Sequence, residues 1–338
     1  MLLRVALPVA IGLGVTAWLF ADEFSAESFA DISWNPTMLL GIIAACIFAI
    51  GRDFGLAWRF HTIAQPNLTW PRAFKVDLMC AFTSAITPSA VGGSALAIFY
   101  LNREGVSLGR AATMTLTTLF LDELFFVVFC PVILLLIPFE DLFITGSGGF
   151  MTGVQVVFWV VYAGIVAYTA LLFWGIIIKP RYVANAIKRL FSAKWLRRWQ
   201  RGADEMADNM IMASNEIKGC NLRWWINVFG ATIVSWFSRY LVVNALFWGF
   251  FPESSGLLVF GRQFVVWVVL MVSPTPGGSG VSEWLFTEYY GDLIGSAQMA
   301  LIMALIWRII SYYAYLFAGS LLLPLYFGKK NAKTELSE

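Results

Sequence analysis

The chain has 338 residues, of which 59% are hydrophobic and 13% are charged, and its formal net charge is +2. Soluble domains carry about 25% charged residues, so this composition excludes a soluble protein and indicates an integral membrane protein. The small basic excess indicates no nucleic-acid partner. The four cysteines lack paired spacing and His61 is the single histidine, so we expect no metal site and no cofactor.

Long apolar runs predict the membrane-spanning helices, because about 20 apolar residues are needed to cross the hydrocarbon core. Six full spans are predicted, at 4–20, 36–51, 111–138, 152–178, 224–250 and 296–327. The first imitates a signal peptide, but Trp18, Leu19 and Phe20 stand where small residues would precede a cleavage site, so we expect a retained span. Two further apolar stretches, 76–100 and 257–290, are interrupted by glycine and proline.

Charges in the connecting segments predict the orientation, because cytoplasmic loops carry an excess of Lys and Arg. The segment 179–223 holds ten Lys or Arg against four Asp or Glu. It is predicted to be cytoplasmic, either as an amphipathic helix on anionic lipid headgroups or as a solvated loop. The basic segment 51–75 and both termini are predicted on the same side, whereas the acidic segments 21–34 and 139–151 are predicted to be external.

This orientation makes both interrupted stretches re-entrant, the first from the cytoplasmic face and the second from the external face. Each contains a Thr-Pro step, a glycine cluster, a short helix, a Gly-containing turn and a long apolar helix. The first reads ITPSAVGGSALAIFYLNREGVSLGRAATMTLTTLFLDEL from Ile86, and the second reads PTPGGSGVSEWLFTEYYGDLIGSAQMALIMALIWRII from Pro274. Opposed repeats of this kind are typical of transporters that bind their substrate near the membrane midplane.

The predicted fold is an all-α integral membrane protein with about six full spans and two opposed re-entrant helical hairpins that form an inverted repeat. The chain is treated as a single polytopic membrane domain over 1–338. Its half-repeats are predicted at about 36–178 and 224–327, with the cytoplasmic basic loop 179–223 between them.

The two interruptions are candidate binding elements, because irregular backbone at membrane depth survives only against protein or a water-filled cavity. Proline ends a helix, which predicts that half-helices stop at the two Thr-Pro steps. Glycine permits tight reversal and close backbone approach, and the following half-helix then offers free N–H groups to an anionic headgroup. The candidate substrate-binding residues here are Thr87, Gly92, Gly93, Ser94, Thr275, Pro276, Gly277, Gly278 and Gly280.

Four ionisable residues deep in apolar segments complete the candidate site: Asp122, Glu123, Glu283 and Arg308. Such residues cost about 2.5–3.5 kcal/mol or more each and usually face a bundle interior or water. Neighbours on a helix point about 100° apart, so Asp122 and Glu123 are not expected to face one cavity. Arg308 is either a bridge to Glu283 or Asp122, or a phosphate ligand, with the carboxylates as partners for a proton or an amine. Arg262, nearer the external surface, is expected to snorkel.

These motifs resemble the membrane part of the lysylphosphatidylglycerol synthetase family, also described as a flippase-like domain. The resemblance rests on TPSAVGGSALAIFYLNREGVSLGRA, PTPGGSGVSEWLF and ALIWRIISYYAYLFAGSLLLPL, and it covers about residues 36–327. It implies translocation of a lipid, or handling of a lipid-linked headgroup, in a bacterial plasma membrane. It also matches six residues to family motif positions: Pro276, Gly277, Gly278, Gly280, Glu283 and Arg308.

The first motif departs from the family pattern, with Ser89-Ala90 where a second glycine pair is usual and Ser94 where an acidic residue is common. These departures leave the polarity of that half of the site open. The sequence ends at Glu338 directly after the last predicted span, so lysyl-lipid synthesis is not expected of this chain.

The leading functional hypothesis is a lipid or lipid-headgroup translocase with a pocket at the midplane. Alternatives are a small-solute or ion transporter, a non-catalytic accessory to a lipid-modifying enzyme, and an enzyme that uses Asp122, Glu123 and Glu283. Enzymatic activity is not expected, because the spans contain no Ser/His or Cys/His pair and no cluster of metal ligands. The expected partners are a phospholipid or another lipid-linked anion, anionic headgroups at 179–223, and further copies of the chain.

Overall fold

The structure, a computed structural model, describes residues 35–87, 91–144, 149–192, 200–275 and 277–328, and these ranges contain helices and no strand. In chain order the helices are α1 (Pro36–Ala64), α2 (Trp70–Ile86), α3 (Val91–Arg103), α4 (Leu108–Leu136), α5 (Phe139–Phe143), α6 (Gly149–Phe173), α7 (Pro180–Ser192), α8 (Gln200–Lys218), α9 (Leu222–Phe250), α10 (Gly256–Leu270), α11 (Val281–Ile294), α12 (Ala297–Arg308) and α13 (Ala314–Gly328). Five-residue π-helical segments extend α6 over Trp174–Ile178 and join α12 to α13 over Ile309–Tyr313.

Five helical segments in the described part of the chain are long and apolar enough to cross a membrane: Pro36–Ala64, Leu108–Leu136, Met151–Ile178, Leu222–Phe250 and Ala297–Leu323. Each coincides with one of the five predicted spans after residue 34. The prediction of an all-α integral membrane protein is therefore confirmed. The predicted span 4–20, the acidic segment 21–34 and the C-terminal tail from 329 lie outside the described residues.

Helix α1 is longer than the predicted span, which ended at residue 51. It continues for 29 residues to Ala64 and carries Arg52 and Arg59 within the helix. The prediction that these arginines mark a cytoplasmic loop was wrong: Arg59 is 2% exposed and Arg52 is only partly exposed. His61 was also expected in a loop, but it lies in α1 and its Nδ1 is 2.6 Å from the carbonyl oxygen of Leu68.

Helices α1 and α9 pack side by side along their length through small residues. A Cβ added to Gly41 would lie 2.8 Å from the Cα of Gly249, and one added to Gly55 would lie 2.6 Å from the amide nitrogen of Ser235. Small residues at such positions let two membrane helices approach at backbone distance, where dispersion contacts hold them together. The pair carries five charged or aromatic side chains that line the candidate site: Arg52, Arg59, Phe60, Trp236 and Arg239.

The two interrupted stretches form pairs of short helices, α2 with α3 and α10 with α11. They have 17, 13, 15 and 14 residues. At 1.5 Å per residue these helices are about 20–26 Å long, shorter than the roughly 30 Å hydrocarbon core. The order of short helix, break, short helix, glycine turn and long helix occurs twice, with Gly105 and Gly295 at positive φ in the two turns. The re-entrant and inverted arrangement stays a prediction.

The two breaks differ in length. In the first, α2 ends at Ile86, directly before Thr87, and α3 begins at Val91. Gly92, Gly93 and Ser94 therefore lie in the first turn of α3, and the prediction that these glycines form the reversal was wrong. A Thr-Pro step alone is enough to end a helix. In the second, α10 ends at Leu270 and α11 begins at Val281, and the described residues between them, 271–275 and 277–280, are not helical.

Most of the described residues in the basic segment 179–223 are helical, in α7 and α8, so the expectation of a plain loop was wrong. Contact of these helices with lipid headgroups stays a prediction. Helix α8 packs its small residues inward, and the hydroxyl of Ser214 donates to the carbonyl of Ile176 at 2.8 Å. The hydroxyl of Thr113, on α4, donates to the carbonyl of Met210 at 3.3 Å. These contacts attach the segment to the ends of two membrane helices.

Arg262 does not snorkel, which corrects the prediction. It is 2% exposed, pairs with Asp292 through both terminal nitrogens, and donates to the carbonyls of Tyr289 and Asp141. Four acceptor atoms on α5 and α11 offset the cost of burying the guanidinium, so Arg262 joins α10 to both helices.

Candidate functional site

A cavity of about 310 Å³ lies between α1, α2, α4, α9 and α12, against the break that follows α10. Sites for small molecules usually have about 300–1,000 Å³, so this volume suits a headgroup-sized ligand. The wall combines apolar and aromatic side chains with seven charged ones: Arg52, Arg59, Asp77, Asp122, Glu123, Arg239 and Arg308. Charged side chains this deep in a membrane protein are a functional-site hypothesis by default.

Arg59 and Asp122 form a two-pronged ion pair across the cavity wall. The terminal nitrogens of Arg59 lie 2.6 and 2.9 Å from the carboxylate oxygens of Asp122. The indole nitrogen of Trp236 donates to the same carboxylate at 2.8 Å, and Arg59 also donates to the hydroxyl of Thr232 at 3.2 Å. Asp122 is thus held by groups from α1 and α9, which fixes α4 against that helix pair.

Asp122 and Glu123 both line the cavity, which corrects the expectation that only one of them could face it. Together with Thr118, Leu119 and Phe126 they form one broad face of α4. A 100° separation is compatible with one cavity when the cavity covers that much of the helix circumference. Oε2 of Glu123 is buried without a hydrogen-bond partner among the described residues.

Arg308 forms a buried salt bridge to Glu283. Of the two roles predicted for Arg308, a bridge to a carboxylate or a phosphate ligand, the structure contains the bridge. Nε of Arg308 donates to Oε1 of Glu283 at 2.8 Å, and the two side chains are 7% and 5% exposed. A terminal nitrogen of Arg308 also donates to the carbonyl of Gly277 and the hydroxyl of Ser279, and the guanidinium lies 3.9 Å from the ring centre of Tyr312.

Glu283 also caps its own helix. Its Oε2 accepts the backbone N–H of Gly280 and the hydroxyl of Ser282, both at 2.8 Å. The N-terminus of α11 was predicted to offer its free N–H groups to an anionic headgroup. The carboxylate of Glu283 already accepts one of the N–H groups at this helix end. A negative charge is favourable there because the N-terminus of a helix carries a partial positive charge.

The two breaks meet. The backbone N–H of Gly277 donates to the carbonyl of Thr87 at 3.4 Å, and the hydroxyl of Tyr312 donates to the carbonyl of Ala85 at 3.0 Å. Gly277 has a φ of 56°, and a Cβ at this position would collide with the ring of Tyr312. Glycine is therefore required here for both conformation and space.

A second charged group at the cavity was not predicted. The hydroxyl of Tyr315 donates to both carboxylate oxygens of Asp53 at 3.0 Å, and Arg52 lies 3.1 Å from the same carboxylate. Asp77, on α2, is 2% exposed and its Oδ2 is buried without a hydrogen-bond partner among the described residues.

The predicted site residues fall into two groups, those that line the cavity and those that support them. The lining residues are Asp122, Glu123, Thr275, Gly277, Gly278 and Arg308. Thr87, Gly280 and Glu283 contact lining residues or each other, Gly92, Gly93 and Ser94 lie at the start of α3, and Pro276 lies outside the described residues.

Four charged lining residues were missed: Arg52, Arg59, Asp77 and Arg239. Arg239 carried a usable signal, because it stands inside the apolar run SWFSRYLVV of a predicted span. The described residues contain no group of three or more His, Cys, Asp or Glu placed to hold a metal ion, and the four cysteines are unpaired.

The helices and the cavity define a multi-pass all-α membrane protein with a charged chamber beside two broken helices. The family model described as the lysylphosphatidylglycerol synthase TM region matches residues 5–319, and the chain belongs to this family of membrane proteins linked to lipid metabolism. The resemblance carried by the motifs is confirmed. A UPF0104 membrane protein of Archaeoglobus fulgidus is 23% identical over 325 residues, which cover 93% of this chain and 94% of that protein. No solved structure matches the chain.

Proposed function

We propose that the protein is a translocase for a lipid or a lipid-linked headgroup, and that the cavity binds the headgroup. The observation that carries the proposal is a partly open, charged cavity of about 310 Å³ lined by helices whose outer faces carry apolar side chains. A polar headgroup crossing the hydrocarbon core needs such a chamber, because unpaired polar groups cost several kcal/mol in lipid.

Membership of the lysylphosphatidylglycerol synthase TM region family supports a lipid as the substrate class. The carboxylates support a headgroup that carries a proton or an amine. Asp77 and Glu123 each keep one buried oxygen without a partner among the described residues. A cationic group in the cavity would satisfy both oxygens, since a buried carboxylate is stable only when paired or protonated.

The transport role needs no covalent chemistry from the protein, and we propose that it is not an enzyme. We propose a bacterial plasma membrane as its location, with the basic segment 179–223 and both termini in the cytoplasm. In this orientation the positive charge of the segment lies against anionic headgroups of the inner leaflet.

The experiment is a headgroup-exposure assay in liposomes that contain the purified protein. Lipids with a fluorescent headgroup are distributed over both leaflets, and a membrane-impermeant reductant quenches the outer leaflet alone. Translocation brings the inner-leaflet lipids to the reductant. Anionic, zwitterionic and neutral lipids are compared in separate vesicles, with protein-free vesicles as the reference.

A matched pair of variants connects the result to the cavity. Ala81 lines the cavity on α2, whereas Ala167 is exposed on the outer face of α6. Ala81→Trp fills the chamber and is expected to abolish translocation, and Ala167→Trp is expected to leave it unchanged. If folded wild-type protein moves no lipid of any class, the translocase is refuted and the accessory role becomes the better account.

A further inference from the structure

The four arginines that line the cavity are not equivalent. Arg59 has the carboxylate of Asp122, and Arg308 has that of Glu283. Within the described parts of the chain, Arg239 has no carboxylate at salt-bridge distance. Arg52 is paired with Asp53, so Arg239 is the one described arginine of this wall without a direct ion-pair partner, although Asp122 lies within electrostatic range of it.

Two aromatic side chains hold Arg239 in place. Its guanidinium carbon lies 4.8 Å from the ring centre of Trp236 and 4.5 Å from that of Trp267. Aromatic faces stabilise a cation but accept none of its N–H groups in ordinary hydrogen bonds. The indole N–H of Trp236 is already used by Asp122, so Trp236 serves as a platform only.

The same place contains two buried hydrogen-bond donors without acceptors. Nε of Arg239 and Nε1 of Trp267 are both buried, and neither has a partner among the described residues. Both side chains line the cavity. Buried donors are satisfied in nearly all native proteins, so two neighbouring exceptions on side chains that line one cavity are the observation behind an acceptor supplied from outside the chain.

The surrounding charges indicate which acceptor fits. Arg52 lies within electrostatic range of Arg239 and repels it, which an anion between or beside them relieves. The carboxylates of Asp122, Glu123 and Asp77 line the same cavity and disfavour a ligand with more than one negative charge. A phosphodiester carries one negative charge and two free oxygens, which match the one arginine without a direct ion-pair partner and the unpaired donors of Arg239 and Trp267. Nε of Arg52 and of Arg59 is also buried without a partner among the described residues, but both of those arginines are ion-paired.

We propose that Arg239 and Trp267 form an anion-binding subsite that takes the phosphodiester of a phospholipid headgroup. This deepens the proposed function and rests on it for the choice of a lipid as the source of the phosphate. In this proposal Arg308 has a different role: its Nε and one terminal nitrogen are engaged by Glu283, Gly277 and Ser279, which joins α11 to α12.

The test is a direct binding titration, which needs no transport. Purified protein in detergent is titrated with three probes: a short-chain phosphatidylglycerol, the matching short-chain diacylglycerol, and inorganic phosphate. Tryptophan fluorescence and the thermal unfolding midpoint are followed together. The proposal expects saturable binding of the phosphatidylglycerol, and weak or no binding of the neutral lipid and of inorganic phosphate.

The variants are Arg239→Gln, Arg239→Lys and Trp267→Phe, with two controls on α9. Arg223→Gln and Trp248→Phe change exposed residues at the two ends of that helix. The subsite variants are expected to weaken phosphatidylglycerol binding about tenfold or more, the usual effect of losing a hydrogen bond to a charged group. Both controls are expected to bind like the wild type.

Trp267→Phe separates binding from a structural role. It removes a donor that has no partner among the described residues, which offsets part of the packing lost from the larger ring against Trp236 and Arg239. The ligand-free protein is therefore expected to have a stability close to that of the wild type, while its affinity falls. Equal affinity of wild type, Arg239→Gln and Trp267→Phe would overturn the subsite. Equal affinity for inorganic phosphate and the lipid would overturn the phosphodiester assignment. Binding without translocation would leave the subsite standing and refute the translocase.

Discussion

Replacing Arg308 or Glu283 alone is expected to destabilise the protein strongly, because each single change leaves the other charge buried without its partner. Replacing both residues is expected to cost less than the sum of the two single changes. Glu283→Gln leaves a buried guanidinium whose remaining acceptors, the new amide oxygen, the carbonyl of Gly277 and the hydroxyl of Ser279, are all neutral. Arg308→Met leaves a carboxylate that still accepts the N–H of Gly280 at the positive end of α11. The first change should therefore cost more than the second.

The magnitude follows from burial, because both side chains are less than a tenth exposed. Removing one partner of a buried ion pair costs about 3–5 kcal/mol, and we place Glu283→Gln at the upper end and Arg308→Met at the lower end. The double variant leaves no unpaired charge. It should recover about 2–3 kcal/mol of the summed loss, which is the coupling energy of two directly bonded residues.

The assay is reversible unfolding in mixed micelles, followed by tryptophan fluorescence, for the wild type, both single variants and the double variant. The free energies of unfolding form a double-mutant cycle. A loss in the double variant equal to the sum of the single losses would show that the two residues do not interact, and would refute the bridge as a connection between α11 and α12.

Three further changes are expected to alter the free energy of unfolding in the same assay. Asp77→Asn removes the charge of a buried carboxylate whose Oδ2 has no hydrogen-bond partner among the described residues, and it should raise stability by about 1 kcal/mol or more, so a loss would show that the charge is paired. Gly55→Leu should cost about 1–3 kcal/mol, because its Cβ would reach the backbone of α9. The control variant Gly164→Leu places its side chain in open space and should be neutral. Equal effects of the two substitutions would refute the close packing of α1 and α9. Tyr312→Phe loses its bond to the carbonyl of Ala85 and should cost about 0.5–1.5 kcal/mol; no change would show that the bond adds nothing.

The membrane helices could be predicted because the bilayer imposes their length on the sequence. The run 111–138 became α4 at Leu108–Leu136, and 224–250 became α9 at Leu222–Phe250. An apolar run of this length has few alternatives in lipid, since its backbone must be satisfied within the helix. The Thr-Pro step after Ile86 likewise predicted the end of α2.

The charged wall of the cavity could be predicted only in part. Arg59 was predicted to lie outside the membrane because arginine is enriched in cytoplasmic loops. Its partner Asp122 is 63 residues away in the sequence, so the ion pair could not be predicted. The pairing offsets the cost of burial, and nothing local to Arg59 reveals it. Arg239 was different, because it lies inside a predicted span and could have been chosen as a candidate site residue for the same reason as Arg308. That it has no carboxylate at salt-bridge distance could be seen only in the structure.

The contact between the two helix breaks is made by main-chain atoms, from the N–H of Gly277 to the carbonyl of Thr87. Any amino acid at position 87 supplies the carbonyl, so side-chain substitution of Thr87 changes the neighbourhood but retains the connection. At Gly277 a side chain would collide with the ring of Tyr312, so substitution there cannot isolate the contribution of the N–H. Replacing the Gly277 amide by an ester, in a semisynthetic protein, removes that one hydrogen and shows what the contact contributes.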